Sequence, residues 1–130
     1  MGNEKLIRQI TLFSETDAFG TITFVNDAFC EVSKYNREEL IGKPHNIDRH
    51  PDMPKRLFEL LWCTIKRGEI FRATIKNRAK DDTPYWVWAT IMPIFDGNNE
   101  FVKYVSVRHL IKDHVLALER YKEQAKELQL

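Results

Sequence analysis

The chain has 130 residues, 43% of them hydrophobic, which is enough for one compact domain with a single core and too little for two. Its 20 lysines and arginines nearly balance its 19 aspartates and glutamates, so a formal net charge of +1 gives no field that favours nucleic acid or an anionic membrane surface. No apolar run approaches the roughly 20 residues that cross a bilayer, and no export signal is recognisable. We therefore expect a cytoplasmic protein, either free or held at the inner face of the membrane by a partner, with no inserted segment of its own.

The first third of the chain predicts a β-hairpin followed by two short helices. Two apolar arms flank the turn sequence TDAFG, and Asn26 and Asn36 each precede a helical pattern as an N-cap. Gly42 is expected to end the second helix. Cys30 and Cys63 have no C-x-x-C spacing, so we expect two reduced thiols in the core.

The polar decapeptide HNIDRHPDMP, residues 45–54, separates these helices from a longer one. Apolar residues from Met53 to Ile65 recur at helical spacing, and Gly68 is expected to end that helix. From Ile70 the period changes to two, and three strands follow, separated by the turn sequences KDDTP and DGNN. In the first of them Phe71, Ala73, Ile75, Asn77 and Ala79 share one face, and the other face is expected to be wet.

These elements predict an α+β domain over residues 12–109, with a five-stranded antiparallel sheet and helices on one face. Residues 1–11 form an N-terminal cap segment in this interpretation. Residues 110–130 predict a C-terminal amphipathic helix whose apolar stripe runs through Ile111, His114, Leu118, Tyr121, Ala125 and Leu128. This stripe suits either a coiled-coil linker or a lone helix that packs on its own domain.

The motifs TDAFGTITFVNDAF, REELIGKPHNIDRHPDMP, LWCTIKRGE, KNRAKDD and YVSVR together resemble a PAS domain. The similarity extends over about Leu12 to Arg108 and is greatest to the flavin-binding PAS domain of Aer-type bacterial aerotaxis receptors. It implies a non-catalytic sensory module that holds FAD between the helices and the inner face of the sheet. It further implies that Arg49, His50 and Asp52 are needed for FAD, and that the partner is a chemotaxis-receptor-type signalling domain, in cis or on a separate chain.

The residues themselves explain why the decapeptide suits a phosphorylated ligand. Pro51 and Pro54 restrict the backbone, so the loop loses little conformational freedom on binding. Between residues 43 and 56 four basic residues outnumber two acidic ones, and Arg49 and Asn46 add hydrogen-bond donors. The alternative is a rigid start to the following helix, capped by Asp52, with the rest a solvated loop.

Asn77 is a second indication of a ligand. It stands on the otherwise apolar strand face, where an unpaired amide would cost about 1–3 kcal/mol, so it needs a partner inside. A flavin edge is one such partner, and a neighbouring backbone carbonyl or a β-bulge is the other interpretation. In the related LOV domains a flavin-contacting Asn matches Asn77, their last-strand Gln approximately matches Ser106, and their second Asn matches Val87. The decapeptide contains no cysteine for LOV photochemistry.

The chain also departs from the Aer-type pattern. Phe71 and Ala73 replace a usual tryptophan and glycine, and Asp48 replaces a hydrophobic residue with a charge that would be unwelcome beside a phosphate. Phe71 can still present a ring to the isoalloxazine. The three tryptophans are candidate cavity walls, with Trp62 the preferred one over Trp86 and Trp88. We expect the signal to leave through the outer sheet face, on strand residues such as Tyr85, Val87, Tyr104 or their neighbours.

Two other functions compete with flavin sensing. His45 or His50 could ligate a haem iron in a gas sensor. A cofactor-free module could instead dimerise through its sheet and terminal helices. A metal site made of His45, Asp48 and His50 lacks the spacing of known motifs, and no acyl-transfer or phosphate-loop motif occurs, so we expect neither a metal centre nor an enzyme.

Overall fold

The computed structural model describes residues 9–130. Most of the predicted N-terminal cap segment, residues 1–11, therefore lies outside the described residues. In chain order the elements are β1 (Thr11–Thr16), β2 (Ile22–Val25), α1 (Asp27–Ser33), α2 (Arg37–Leu40), a 3-10 turn (His45–Asp48), α3 (Lys55–Lys66), β3 (Phe71–Arg78), β4 (Pro84–Phe95), β5 (Phe101–Ile111) and α4 (His114–Leu128). No helix in this described part is long and apolar enough to cross a membrane.

The five strands form one antiparallel sheet, as predicted, and the structure gives their order as β2-β1-β5-β4-β3. The first and last strands are therefore neighbours at its centre, with Thr11 opposite His109 and Thr16 opposite Tyr104. Successive side chains alternate between faces, so this register decides which residues point toward the helices. A fully buried apolar side chain contributes about 1.5–3 kcal/mol, and the inner face supplies many of them.

Polar caps start the two short helices where the sequence predicted them. Asn26 Oδ1 accepts hydrogen bonds from the backbone N–H groups of Phe29 and Phe13, so one side chain both caps α1 and ties it to β1. The N–H of Asn36 donates to Glu39 Oε1 at the start of α2. Gly42 follows α2 with a φ of +86°, a conformation that glycine adopts without strain.

Helix α3 begins later than predicted. Its N-cap is Pro54 and its first residue is Lys55, so Met53 is buried in the core without being helical, and Asp52 does not cap the helix. The cause is Pro54, which disfavours the helical conformation at the residue before it. Cys63 on α3 is exposed and Cys30 is partly buried, so the expectation that both thiols are core residues is wrong for Cys63.

The register corrects the assignment of residues to the two faces of the sheet. Tyr85 on β4 lies opposite Asn77, and Val87 lies opposite Ile75, so both point inward, as does Tyr104. Our expectation that these three lie on the outer face is wrong. The outer face instead carries Trp86 and Trp88, which were expected to be candidate cavity walls.

Helix α4, whose place on the domain the sequence left open, packs on that outer face. The Gln124 side chain accepts a hydrogen bond from the N–H of Thr74 at 2.6 Å and donates to its carbonyl at 2.9 Å, which satisfies backbone groups of the edge strand β3. The ring centres of Tyr121 and Trp86 are 5.7 Å apart. Thr74, expected on a wet face, is consequently only 2% exposed.

The predicted apolar stripe of α4 is correct only in its second half. Ala117 is fully buried, whereas Leu118 is 43% exposed and His114 is exposed. The helix starts at His114, because the Asp113 side chain accepts hydrogen bonds from the N–H groups of Val115 and Leu116, and Ile111 belongs to β5. In the structure this helix packs on its own domain.

Candidate functional site

A cavity of about 280 Å³ lies between the inner face of the sheet and the elements that cover it. Ligand sites typically measure about 300–1,000 Å³, so this cavity has room for one ring system, and a dinucleotide would extend beyond it. Its walls come from the β1–β2 turn, the decapeptide, α3 and the strands: Thr16, Phe19, Gly20, Pro44, His45, Asn46, Asp48, Arg49, Phe58, Leu61, Trp62, Ile65, Ile75, Asn77, Ile91, Tyr104, Val105, Ser106 and Arg108.

One part of this wall is apolar and aromatic. The side chains of α3 face the aliphatic residues of β3 and β4 across it, and Trp62 packs edge-on against Tyr104 with ring centres 5.7 Å apart. Gly20 leaves the space that the indole of Trp62 occupies, because an added Cβ there would lie 2.8 Å from Cζ2 of the indole. The preferred tryptophan of the sequence prediction therefore lines the cavity, held by a turn that requires glycine.

Another part of the wall carries polar atoms that have no hydrogen-bond partner among residues 9–130, which the structure describes. Asn77 Nδ2, Ser106 Oγ, Arg49 Nε and two nitrogens of Arg108 are buried without a hydrogen bond. Each such atom costs about 1–3 kcal/mol when left unsatisfied, and native structures contain few of them. Since all five belong to residues that line one cavity, the arrangement is typical of a binding site that a polar ligand completes.

Arg49 is held in this wall from two sides. Its guanidinium carbon lies 3.6 Å from the ring centre of Phe58, and its backbone forms an isolated β-bridge with Asn77. Burial lowers the pKa of Arg49, and the nearby Asp48 opposes that change. The bridge joins the decapeptide to β3, so the predicted residues Arg49 and Asn77 are neighbours across the cavity rim.

Asp48 is the most buried acid of the site and was misjudged from the sequence. It is 2% exposed, and its Oδ2 accepts hydrogen bonds from Tyr85 Oη at 2.7 Å and Arg108 Nη1 at 3.1 Å. Burial alone would raise the pKa of Asp48, but Arg108, His45 and the Tyr85 hydroxyl together hold it below its ordinary value. The charge that we expected to be unwelcome is therefore neutralised inside the protein.

Tyr85 is the neutral donor of this cluster. Burial and the adjacent Asp48 carboxylate raise its pKa well above the ordinary value of a phenol, so it stays protonated and donates to Asp48.

The guanidinium carbon of Arg108 lies 4.6 Å from the ring centre of Phe29, which stabilises the cation on the side away from Asp48 by a cation–π contact. The sequence contained a signal for Arg108, because it shares inward strand parity with Ser106 and Tyr104.

His45 is a neutral member of the wall. Its Nε2 is 2.7 Å from Ser14 Oγ and its ring packs edge-on against Phe29, so it lies between two fully buried residues. Burial, reinforced by the positive charge of Arg108, lowers its pKa to about 4. Because Nε2 is already hydrogen-bonded, His45 is poorly placed to ligate a haem iron.

Three predicted site residues do not line the cavity. The Nδ1 of His50 accepts a hydrogen bond from the N–H of Asp52, and the Asp52 carboxylate is 3.1 Å from Lys76 Nζ on the surface. The Lys76 bond lowers the pKa of Asp52, while burial and Lys76 lower that of His50. Phe71 is buried in the core beside the cavity without lining it. The other five predicted residues, Asn46, Arg49, Trp62, Asn77 and Ser106, do line it.

Small receptor domains can be built from a five-stranded antiparallel sheet whose covering helices enclose a ligand-sized cavity. The sequence of this chain matches one family of such domains. Residues 22–108 match the sequence pattern of the PAS fold. The chain belongs to the PAS family.

Several characterised proteins share this domain. The chain is 42% identical over 115 residues to the aerotaxis receptor of Escherichia coli K12, and 32% identical over 92 residues to a biofilm dispersion protein of Pseudomonas aeruginosa. These matches cover 88% and 70% of the chain and 22% of each relative, so the chain spans about a fifth of their length. The light-state structure of the blue-light photoreceptor Aureochrome1 LOV has the same fold, with a TM-score of 0.80 at 21% identity, over 93% of this chain and 96% of that one.

Proposed function

We propose that this domain is a sensory module that binds FAD and converts the redox state of the flavin into a conformational signal for bacterial energy taxis. The observation that carries the proposal is the set of five buried polar atoms without partners around one cavity. The similarity to an aerotaxis receptor supports a role of this kind.

The chemistry of the cavity fits an isoalloxazine ring. This ring has one apolar edge and one edge of carbonyl and nitrogen acceptors, and the wall has a matching apolar part and a part rich in N–H and O–H groups. In the proposed complex Asn77, Ser106 and Arg108 hydrogen-bond the polar edge, while Trp62 and the other α3 side chains pack against the ring. The flavin supplies the electron-accepting chemistry, and the protein supplies orientation and charge.

The decapeptide holds the part of FAD that extends outside the cavity in this proposal. Arg49 and Asn46 lie at the rim, where they can donate hydrogen bonds to the phosphates. His50 and Asp52 act indirectly. Their hydrogen bond fixes the conformation of the decapeptide, and the Asp52–Lys76 ion pair attaches the decapeptide to β3. Haem is the weaker candidate, since His45 is engaged with Ser14 and His50 lies off the cavity.

The signal leaves through β5 and α4. Ser106 and Arg108 face the cavity on β5, and the same strand leads through Asp113 into α4 on the opposite face of the sheet. A ligand shifts a conformational equilibrium only by its difference in affinity for the two states. About 1.4 kcal/mol of difference corresponds to about 30 mV, whereas a swing from 1:99 to 99:1 needs about 5.5 kcal/mol, so we expect a graded response.

The output partner in this proposal is a chemotaxis-receptor-type signalling domain, in cis or as a separate chain. Val115 is 69% exposed and Leu118 43% exposed on the side of α4 away from the sheet, which gives such a partner or a second copy an apolar surface.

The test is an absorption spectrum of the purified protein, before and after incubation with FAD and then with dithionite. We expect a two-banded flavin spectrum that bleaches on reduction. Asn77→Ala should weaken FAD binding about tenfold, equivalent to about 1.4 kcal/mol, whereas Asn98→Ala, on an exposed turn, should leave it unchanged. A haem spectrum, or a protein that stays colourless with FAD, would contradict the proposal.

A further inference from the structure

The buried pair of Asp48 and Arg108 leaves part of a positive charge in the cavity wall. Arg108 is 4% exposed and donates from Nη1 to Asp48, while its Nε and Nη2 have no hydrogen-bond partner in the described part of the chain. On the other side of Arg108, the Oδ2 atom of Asp48 accepts hydrogen bonds from both Arg108 and Tyr85. Arg108 therefore places unpaired guanidinium N–H groups in the cavity wall, and Asp48 compensates the charge of that guanidinium.

We infer that Asp48 sets how strongly this wall stabilises negative charge on a bound ring, and thereby sets the reduction potential of that ring. The inference rests on the proposed flavin function and goes beyond it, since it assigns a role to a residue that does not resemble any flavin-binding position of the Aer-type pattern.

The relevant reaction adds charge to the ring. Two electrons and one proton convert the oxidised flavin into a reduced form that carries one negative charge, with dithionite as electron donor in the experiment and solvent as the proton source. Arg108 favours that product and Asp48 opposes it. At an effective dielectric constant of about 20, a unit charge within about 10 Å changes such an equilibrium by more than tenfold.

No other titrating group of this cluster masks the effect. Tyr85 donates as a neutral phenol and His45 is a neutral imidazole at neutral pH. Within the described part of the chain, the charged side chains that line the cavity are Asp48, Arg49 and Arg108. Of these, Asp48 is the negative one, so its removal changes the balance in a known direction.

The test compares Asp48→Asn with the wild-type protein, both loaded with FAD and titrated with dithionite against redox dyes. Asparagine keeps one oxygen that can accept from Tyr85 and Arg108, and it removes the charge by replacing the second oxygen with an NH2 group of similar size. We expect the reduction equilibrium to move at least tenfold toward the reduced flavin, which is about 30 mV upward for two electrons. Asp82→Asn is the matched control, because Asp82 is exposed and its φ of 71° suits asparagine. Its potential should equal that of the wild type.

A double variant keeps the test valid if the single one does not fold. Asp48→Asn with Arg108→Gln removes both charges together, so no ion is left buried alone. Because it also removes the free guanidinium N–H groups from the wall, we expect its potential to fall below that of the wild type.

The outcomes separate this inference from the proposed function. A wild-type protein that remains colourless with FAD overturns both. A yellow protein whose potential is the same with and without the Asp48 charge overturns only the inference, and so does a double variant with the wild-type potential.

Discussion

The Oδ2 atom of Asp48 lies 3.1 Å from Nη1 of Arg108, although the two residues are 60 positions apart and are 2% and 4% exposed. This ion pair fastens the decapeptide to β5, while the β-bridge between Arg49 and Asn77 fastens it to β3. The decapeptide is thus attached to β5 and to β3, on two sides of the cavity.

Breaking this pair from one side should be costly. Asp48→Leu leaves the Arg108 charge buried without a counter-ion, and we expect the free energy of unfolding to fall by about 3–5 kcal/mol. The double change Asp48→Leu with Arg108→Met replaces both ions by apolar side chains and should lose much less. Urea unfolding of the cofactor-free proteins measures both. A double variant at least as unstable as the single one would contradict the prediction.

The stability of the domain should fall on mild acidification because of His45. The pKa of His45 is 6.5 when unfolded and about 4 when folded, so below 6.5 the unfolded chain takes up the proton first. The free energy of unfolding should fall by about 3 kcal/mol as the pH drops from about 6.5 to 4. Urea midpoints measured along this range give the slope.

His45→Gln isolates that contribution. Glutamine can still hydrogen-bond to Ser14 but does not titrate, and His50, whose pKa is also lowered, remains in both proteins. We expect the variant to show a shallower pH dependence. Equal slopes for the two proteins would show that the His45 proton is not responsible.

Gly20 should be less replaceable than Gly42. Both have a positive φ, +85° and +86°, so alanine at either position should cost about 1–2 kcal/mol of backbone strain. At Gly20 the new methyl group would also collide with Trp62, whereas no atom lies within 4 Å of a Cβ at Gly42. Gly20→Ala should therefore lose more stability and change the indole fluorescence of Trp62, and Gly42→Ala should leave the fluorescence unaltered. Indistinguishable spectra would refute the close contact.

Gln124 should anchor α4 to the sheet. In Gln124→Ala the buried N–H and C=O of Thr74 lose their partners, so we expect a loss of about 1–3 kcal/mol and faster amide hydrogen exchange in α4. Lys122→Ala, on an exposed position of the same helix, is the control and should exchange as the wild type does. Similar protection of α4 in both variants would mean that the helix is held by other contacts.

Local rules were sufficient for most of the fold. The caps at Asn26 and Asn36, the turns, the strand order of the hairpins and the parity of β3 follow from short-range sequence patterns, and all agree with the structure. The side of the sheet on which α4 packs does not follow from such patterns. The placement of α4 depends on the hydrogen bonds between Gln124 and the backbone of Thr74, 50 residues earlier in the chain. A polar residue in a helix does not by itself indicate such a contact.

The residues of the candidate site were likewise predicted only in part. Asn77, Ser106 and Trp62 were predicted as site residues because each stands on a face or in a motif whose neighbours are apolar or family-specific, and all three line the cavity. Asp48 was misjudged because its effect depends on Arg108, a residue from the other end of the domain, and the charge of a buried acid has no fixed meaning until its partner is known.

The central position of β5 also bears on how the protein is made. Strand β1 pairs with β5 from Thr11 opposite His109, 98 residues later, so the middle of the sheet stays open until nearly the whole domain has left the ribosome. Long-range pairing of this kind is slow, and β1 waits without its neighbour during synthesis. Since Ser106 and Arg108 arrive on that last strand, a cofactor can be enclosed only after translation of the domain is complete.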